Sequence, residues 1–257
     1  MTPSDQAARA QQLRGYFDLQ LDFAGRMAAL TEVRLEDAVA VYTNLRILMA
    51  LGDEASPEDA ALWEQYLTGL AAARSADARL DWTQAFFAGR RRDTLHRGQT
   101  GFGCFGYEAP DADGAVRIHF GNRDSTGDIG PLARAKTPAR IAELTAMFAH
   151  LRGAHPDART ITGGSWLYNL EAYRRLFPPR YGDSRVRPTP PVRLRGTSSW
   201  GQFLDFREQL KPDLCVRFRA NLRSLDPAAP WLAFPFLALR TRAPVEAFYG
   251  FYGAGST

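Results

Sequence analysis

The sequence predicts an α+β protein: a helical N-terminal region, then an α/β layer of mixed β-sheet with flanking helices. Three observations predict it. Residues 1–95 place apolar side chains at helical spacing. Residues 115–121 alternate, with Val116, Ile118 and Phe120 on one side and Arg117 and His119 on the other. Arg159 to Tyr181, RTITGGSWLYNLEAYRRLFPPRY, reads as one covered strand running into a short helix that stops at Pro178-Pro179. The expected domains are therefore 1–95, all helical, and 96–257, mixed α/β.

In the first region Ser4 can cap a helix with Leu13, Phe17, Leu21, Ala24 and Ala28 on one stripe. A second helix carries Leu35, Val39, Tyr42, Leu45 and Met49 and ends at Gly52. Ser56-Pro57-Glu58-Asp59 is a helix start: a cap, Pro at the first position, then two acids at the positive end of the dipole. A break near Ser75 precedes a short helix holding Trp82, Phe86 and Phe87.

From Gly89 the character changes. Phe102–Glu108 reads as a strand, Asp111–Gly114 as a hairpin turn and Ala115–Gly121 as the return strand. A long loop, rich in Gly121, Gly127 and Gly130, delivers the chain to Thr137-Pro138. These open a helix with Ile141, Leu144, Phe148 and Leu151 on one face, ended by Gly153. After the core strand, Ser165–Tyr168 extends it and Asn169 caps the next helix. Val192–Arg195 is expected as a strand and a helix from Ser198 or Ser199 as the carrier of Phe203, Phe206 and Leu210. Asp213–Leu225 fits a helix better than a strand. Trp231–Leu239 and Val245–Tyr252 are expected as a closing strand pair.

Composition narrows the function. The 257 residues, 45% of them apolar, can bury one large core or two small ones. Net charge is +4, yet only Lys136 and Lys211 are lysines, so the arginine content points to coding bias more than to a nucleic-acid surface. Arg90-Arg91-Arg92 reads as a solvated helix end. Cys104 and Cys215 form neither a CxxC nor a Cys/His ligand pattern, and predict buried thiols in a reducing compartment. The N-terminus lacks an apolar signal core, and no apolar run nears the ~18 residues of a membrane span. A cytoplasmic protein without membrane contact is expected. The four histidines, His96, His119, His150 and His155, have no metal-ligand spacing, and no metal is expected.

No Walker, HExxH, GxSxG or Rossmann motif is present. The best physical candidate is the helix start at Thr137, where unpaired N–H groups and the dipole meet Arg134, Lys136 and Arg140. Gly130 and its neighbours let a backbone approach a phosphate or pyrophosphate there; a merely solvated, well-capped start competes with this. His119, projecting off the apolar face just ahead of the loop, is the candidate general base, or a satisfied structural histidine. Tyr168 and Tyr173 offer phenols as proton donors, or core packing. Cys104 is a nucleophile only if something activates its thiol.

The stretches Ile118-His119-Phe120, Gly130-Pro131-Leu132, Ser165-Trp166-Leu167 and Leu176-Phe177-Pro178 carry a resemblance. Over about residues 100–181 the chain is similar to the GNAT-like C-terminal domain of a bacterial acyltransferase family that places an all-helical domain ahead of it. The resemblance implies acyl-CoA as co-substrate and a small-molecule acceptor. It implies a CoA pyrophosphate at the Thr137 start, contacted by Gly130, Arg134, Lys136 and Arg140. It also implies a pantetheine slot between the strand ending near Phe120 and the strand at Ile161, which leads to Ser165; the leading expectation is an acyltransferase with His119 as base and Tyr173 as acid. The family's Gln/Arg-x-x-Gly-x-Gly/Ala signature is absent before Thr137; Arg97–Gly103 only approximates it, at the wrong place. A non-catalytic module of the same shape is the alternative.

Overall fold

The structure, a computed structural model, describes residues 3–52, 56–90, 100–124 and 127–253. Arg91, Arg92, His96 and Arg97–Gln99 of the glycine-rich approach lie outside the described residues, as do Ser125 and Thr126 of the long loop. In chain order come helices α1 Pro3–Gln12, α2 Arg14–Thr31, α3 Leu35–Tyr42, α4 Leu45–Leu48, α5 Pro57–Ala72 and α6 Ala76–Ala88. Strands β1 Thr100–Phe102, β2 Phe105–Tyr107 and β3 Ala115–Phe120 follow, then α7 Thr137–Ala154 and β4 Thr160–Ser165. Helices α8 Glu171–Arg174, α9 Pro179–Asp183, α10 Thr197–Trp200 and α11 Pro212–Leu222 lead to β5 Leu239–Pro244 and α12 Val245–Phe251.

The chain divides into two compact units, Met1–Leu95 with Pro191–Pro235 and His96–Pro190 with Phe236–Thr257. The segment 191–235, expected in the mixed domain, belongs to the helical unit. The reason is aromatic. Trp200 is fully buried, with its ring 5.7 Å from Phe23, 5.6 Å from Phe218 and 5.0 Å from Phe234. Its indole N–H donates to the Tyr42 carbonyl at 3.0 Å. Within this unit Ser56 caps α5 by accepting from the Asp59 N–H, and Ser75 caps α6 by accepting from the Ala78 N–H, as their sequences require.

The second unit is built on a mixed five-stranded sheet in the order β1-β2-β3-β4-β5. β3 and β4 run parallel, joined through α7, and the other neighbours are antiparallel. Phe105, Tyr107, Val116, Ile118, Ile161 and Ala243 share one face, which packs into a core with Leu144, Phe148 and Leu151 of α7 and Phe248 of α12. The alternation read from residues 115–121 is thus a strand covered on one side only.

Several expected elements differ. Phe102–Glu108 is two strands, because Gly103 takes a left-handed φ of 58° and turns the chain back. Ser165–Tyr168 does not extend β4: Trp166–Asn169 is a 3-10 turn whose first free N–H, that of Leu167, donates to Ser165 Oγ at 3.1 Å. Asn169 caps nothing; its side-chain amide donates to the Trp166 and Leu237 carbonyls. Pro179 starts α9 instead of ending structure, since Pro suits a first helical position. Val192–Arg195 is not a strand, and Phe206 and Leu210 lie beyond α10 and its 3-10 extension Gly201–Phe203. Asp213–Leu222 is helical, as preferred. The closing strand pair is replaced by one strand and one helix. β5 alternates exposed Arg240 and Arg242 with buried Thr241 and Ala243, and Val245, Phe248 and Tyr252 follow at helical spacing.

Candidate functional site

The parallel pair β3–β4 is the feature that organises a site. Their ladder covers Ala115↔Thr160, Val116↔Ile161 and Arg117↔Thr162, and ends there. Beyond it Ile118, His119 and Phe120 pair with β2, while Gly163, Gly164 and Ser165 pair with β5. The two strands therefore part at their C-terminal ends, the end of a parallel pair at which α/β sheets bind ligands.

Under this opening lies a floor of rings. Phe120, half-buried, meets Tyr173 edge-on at 5.6 Å, and Tyr173 packs 5.2 Å from Tyr168 and 5.0 Å from Phe177. The hydroxyls of Tyr168 and Tyr181 bond at 2.7 Å. A Cβ on Gly163 would stand 2.0 Å from the first and 2.3 Å from the second, so only glycine lets both phenols reach under β4. Burial pushes the Tyr168, Tyr173 and Tyr181 phenols up from their ordinary value. Tyr173 is 2% exposed and faces away from His119, which stands on the opposite side of β3 from Phe120. The expected base and acid are not brought together.

The helix start at Thr137 differs from expectation as well. A 3-10 turn, Arg134–Lys136, runs straight into α7. It uses the N–H of Lys136 on the Ala133 carbonyl and the N–H of Thr137 on the Arg134 carbonyl, and Pro138 has none to offer. Thr137 is inside the helix and is not its cap. The cations are engaged too. Lys136 Nζ lies 2.7 Å from Asp124; Arg140, with 4% of its side chain exposed, lies 3.0 Å from Asp124 and 2.8 Å from Glu143. Lys136 holds the Asp124 carboxyl below the usual carboxylate range, with Arg140 adding to the effect. Gly130 closes a turn, its carbonyl accepting from the Ala133 N–H. Two of the three cations expected to hold a diphosphate at the Thr137 start are thus already paired within the protein, while Thr137 Oγ1 is buried without a hydrogen-bond partner among the described residues. Arg134, exposed, and Arg175 flank an apolar groove of about 690 Å³ over Thr137, Pro138, Ile141 and Ala142.

Cys104 belongs to the same ionic cluster. Arg140 donates to its Sγ at 2.7 Å, and its own N–H donates to Glu143 at 3.1 Å. The thiol is 2% exposed and burial, the largest influence, pushes it up. It is a packed acceptor, not an activated nucleophile.

The other face of the sheet carries polar side chains, among the described residues. Glu108, Arg117, His119, Thr162, Arg240 and Arg242 project from it, in rungs fixed by the strand register. His119 Nε2 lies 2.6 Å from Glu108 Oε1, a geometry that orients the ring. Across the opening from His119 is Gly164, beside which there is free space: a Cβ built there meets nothing within 4 Å.

Sequence reasoning named His119 but missed Glu108, its partner, although the hairpin at Asp111–Gly114 sets Glu108 against Arg117. It also missed Asp124 and Glu143, the second readable as the i+3 neighbour of Arg140 on one helix. Among the described residues no three His, Cys, Asp or Glu side chains converge as a metal site, and no helix is long and apolar enough to cross a membrane. Comparison with protein-family models, curated proteins and solved structures returns no match.

Proposed function

We propose that the chain is an acyltransferase that moves an acyl group from acyl-CoA to a small acceptor. The observation that carries this is the parting of β3 from β4 after three rungs, at the end of β3 from which the chain leaves for α7. Two strand edges that no longer bond each other can bond the amides of an extended ligand between them. Phe120 and Ser165, at the ends of the two strands, would line that slot. Phosphate groups would lie at the groove beside the Thr137 start, with exposed Arg134 and with Arg175, which also donates to the Leu132 carbonyl and lies 3.6 Å from Glu171. Acyl-CoA supplies a thioester: the acceptor forms its new bond to the acyl carbon as the carbon–sulfur bond breaks and the thiol leaves. His119 takes the proton that the attacking amine or hydroxyl gives up, with Glu108 holding the ring and stabilising the imidazolium. Tyr173 takes no part, being sealed in the core.

The test is a melting series with acetyl-CoA and longer acyl-CoAs. A ligand at about a hundred times its Kd adds about 2.7 kcal/mol to the folded state. A raised melting temperature, together with thiol release that His119→Ala abolishes, is expected. No shift with any acyl-CoA at millimolar ligand removes the proposal.

A second reading, a non-catalytic binding module, has one observation in its favour: Asp124 and Glu143 neutralise Lys136 and Arg140, two of the cations expected to hold CoA. It predicts no thiol release from any acyl-CoA with any acceptor.

A further inference from the structure

The face that carries His119 is strongly basic. Arg117, Arg240 and Arg242 stand on it, all exposed. The register places Arg117, Thr162 and Arg242 in one rung across β3, β4 and β5, and Arg240 beside Gly164 in the rung nearer the opening. Strand spacing puts Arg242 about 7 Å from Arg240 and about 10 Å from Arg117, and Arg117 about 12 Å from Arg240. Arg180, from α9 on the covered side of the sheet, joins Arg242 in walling a hollow of about 420 Å³ at the Thr160–Pro244 end of β4 and β5, away from the strand parting. Among the described residues, none of these four guanidinium groups has a carboxylate within ion-pair distance. Glu108, the rung neighbour of Arg117, is bonded to His119. Asp183, close in sequence, lies 4.0 Å from Arg185. Three like charges on one face repel each other, and a folded chain gains by binding something that neutralises them.

We infer that the acceptor is a small anion, an amine or alcohol bearing a phosphate or carboxylate group, held on this face by Arg240, Arg242 and Arg117. The inference rests on the acyltransferase reading for the word acceptor and on the arginine face alone for the charge. The free space at Gly164 lies in the rung of Arg240, so an anion gripped by Arg240 and Arg242 sets its nucleophile beside the parting of the strands and next to His119. Arginine suits this task because its planar fork bonds carboxylate and phosphate oxygens in pairs. A polynucleotide is disfavoured here because no Phe, Tyr or Trp projects from the rungs of this face to stack on bases.

The test uses the intact chain, without any acyl donor. Binding of inorganic phosphate, succinate and uncharged succinamide is measured by titration calorimetry, alongside a single-stranded 12-mer oligonucleotide. Saturable binding of phosphate or succinate but not succinamide is expected, weakened tenfold or more by Arg242→Gln and by Arg240→Gln. These side chains are solvent-exposed, so unchanged circular dichroism is expected of both variants; Arg117→Gln gives a third, independent lesion. Succinamide binding as well as succinate, or variants that bind the anions normally, would overturn the inference. So would an oligonucleotide that binds more tightly than either small anion. If acyl-CoA stabilises the chain while no anion binds, the inference falls and the acyltransferase reading stands. If an anion binds through these arginines while no acyl-CoA does, the anion site stands and the acyltransferase reading falls.

Discussion

The hydroxyls of Tyr168 and Tyr181 meet at 2.7 Å directly beneath the backbone of Gly163. This contact joins the turn after β4 to α9 under the strand that bounds the proposed slot. It also distinguishes two adjacent glycines that the sequence presents as equivalent.

Gly163→Ala is expected to destabilise the fold by about 1–3 kcal/mol, because the new methyl must displace two packed phenols. Gly164→Ala should leave the urea midpoint unchanged or slightly raised, since nothing lies within 4 Å of its added carbon and alanine loses less entropy in a strand. If Gly164 is in the slot, the same substitution weakens acyl-CoA binding. Equal stability of the two variants would contradict the packing described.

The buried phenols make an alkaline prediction. Burial raises Tyr168, Tyr173 and Tyr181 in the folded state, whereas an unfolded tyrosine titrates near its ordinary value of 10.0. A group that binds its proton more tightly when folded contributes stability that is fully present below the unfolded value and is lost as pH rises above it. Urea midpoints should therefore be level from pH 8 to about pH 10 and fall beyond. Absorbance at 295 nm should show these phenols ionising only with unfolding. A native spectrum that titrates all nine tyrosines near pH 10 would rule this out.

The cluster of Arg140, Asp124, Glu143 and Cys104 predicts a third result. Arg140→Met removes the cation from between two carboxylates and costs about 2–3 kcal/mol. That is below the ~3–5 kcal/mol of a fully buried pair, because Asp124 and Glu143 keep 25% and 21% of their side chains exposed. The Asp124 carboxyl is depressed, so its contribution is present above the ordinary carboxylate range and disappears as pH falls through its lowered value. Asp124→Asn should flatten the acid limb of the stability curve. An acid limb identical to that of the parent chain would show that the pairing does not operate in solution.

Local signals in the sequence carried much of this fold. Ser56-Pro57, the 115–121 alternation and the Thr137-Pro138 helix are set by residues within a few positions of each other, and each is found where its chemistry places it, apart from the cap at Thr137. What was illegible is decided at long range. The helical nature of 245–251 was masked by Phe248, Tyr249, Phe251 and Tyr252, whose aromatic run imitates a strand until the partner Phe148 is known, 4.7 Å from Phe248. β5 was hidden because its outward side chains are arginines and its inward ones are small. The site suffered similarly: Arg134, Lys136 and Arg140 do gather around Thr137, but Lys136 and Arg140 are already met by Asp124, reached across a loop, and by Glu143.

The last prediction concerns where the helical unit ends. Residues 1–95 look self-sufficient by sequence, with four expected helices carrying apolar side chains. In the structure Phe23 is fully buried against Trp200, Phe218 and Phe234, none of which belongs to that stretch. A fragment of residues 1–95 would leave those faces in water. It should keep helical far-ultraviolet dichroism but lose near-ultraviolet signal, bind ANS and melt without cooperativity, the marks of a molten state. Trp200→Ala in the full chain should cost about 3–5 kcal/mol, as expected for an emptied aromatic site. A fragment 1–95 that melts cooperatively at the temperature of the intact chain would show that 191–235 is only an accessory to this core.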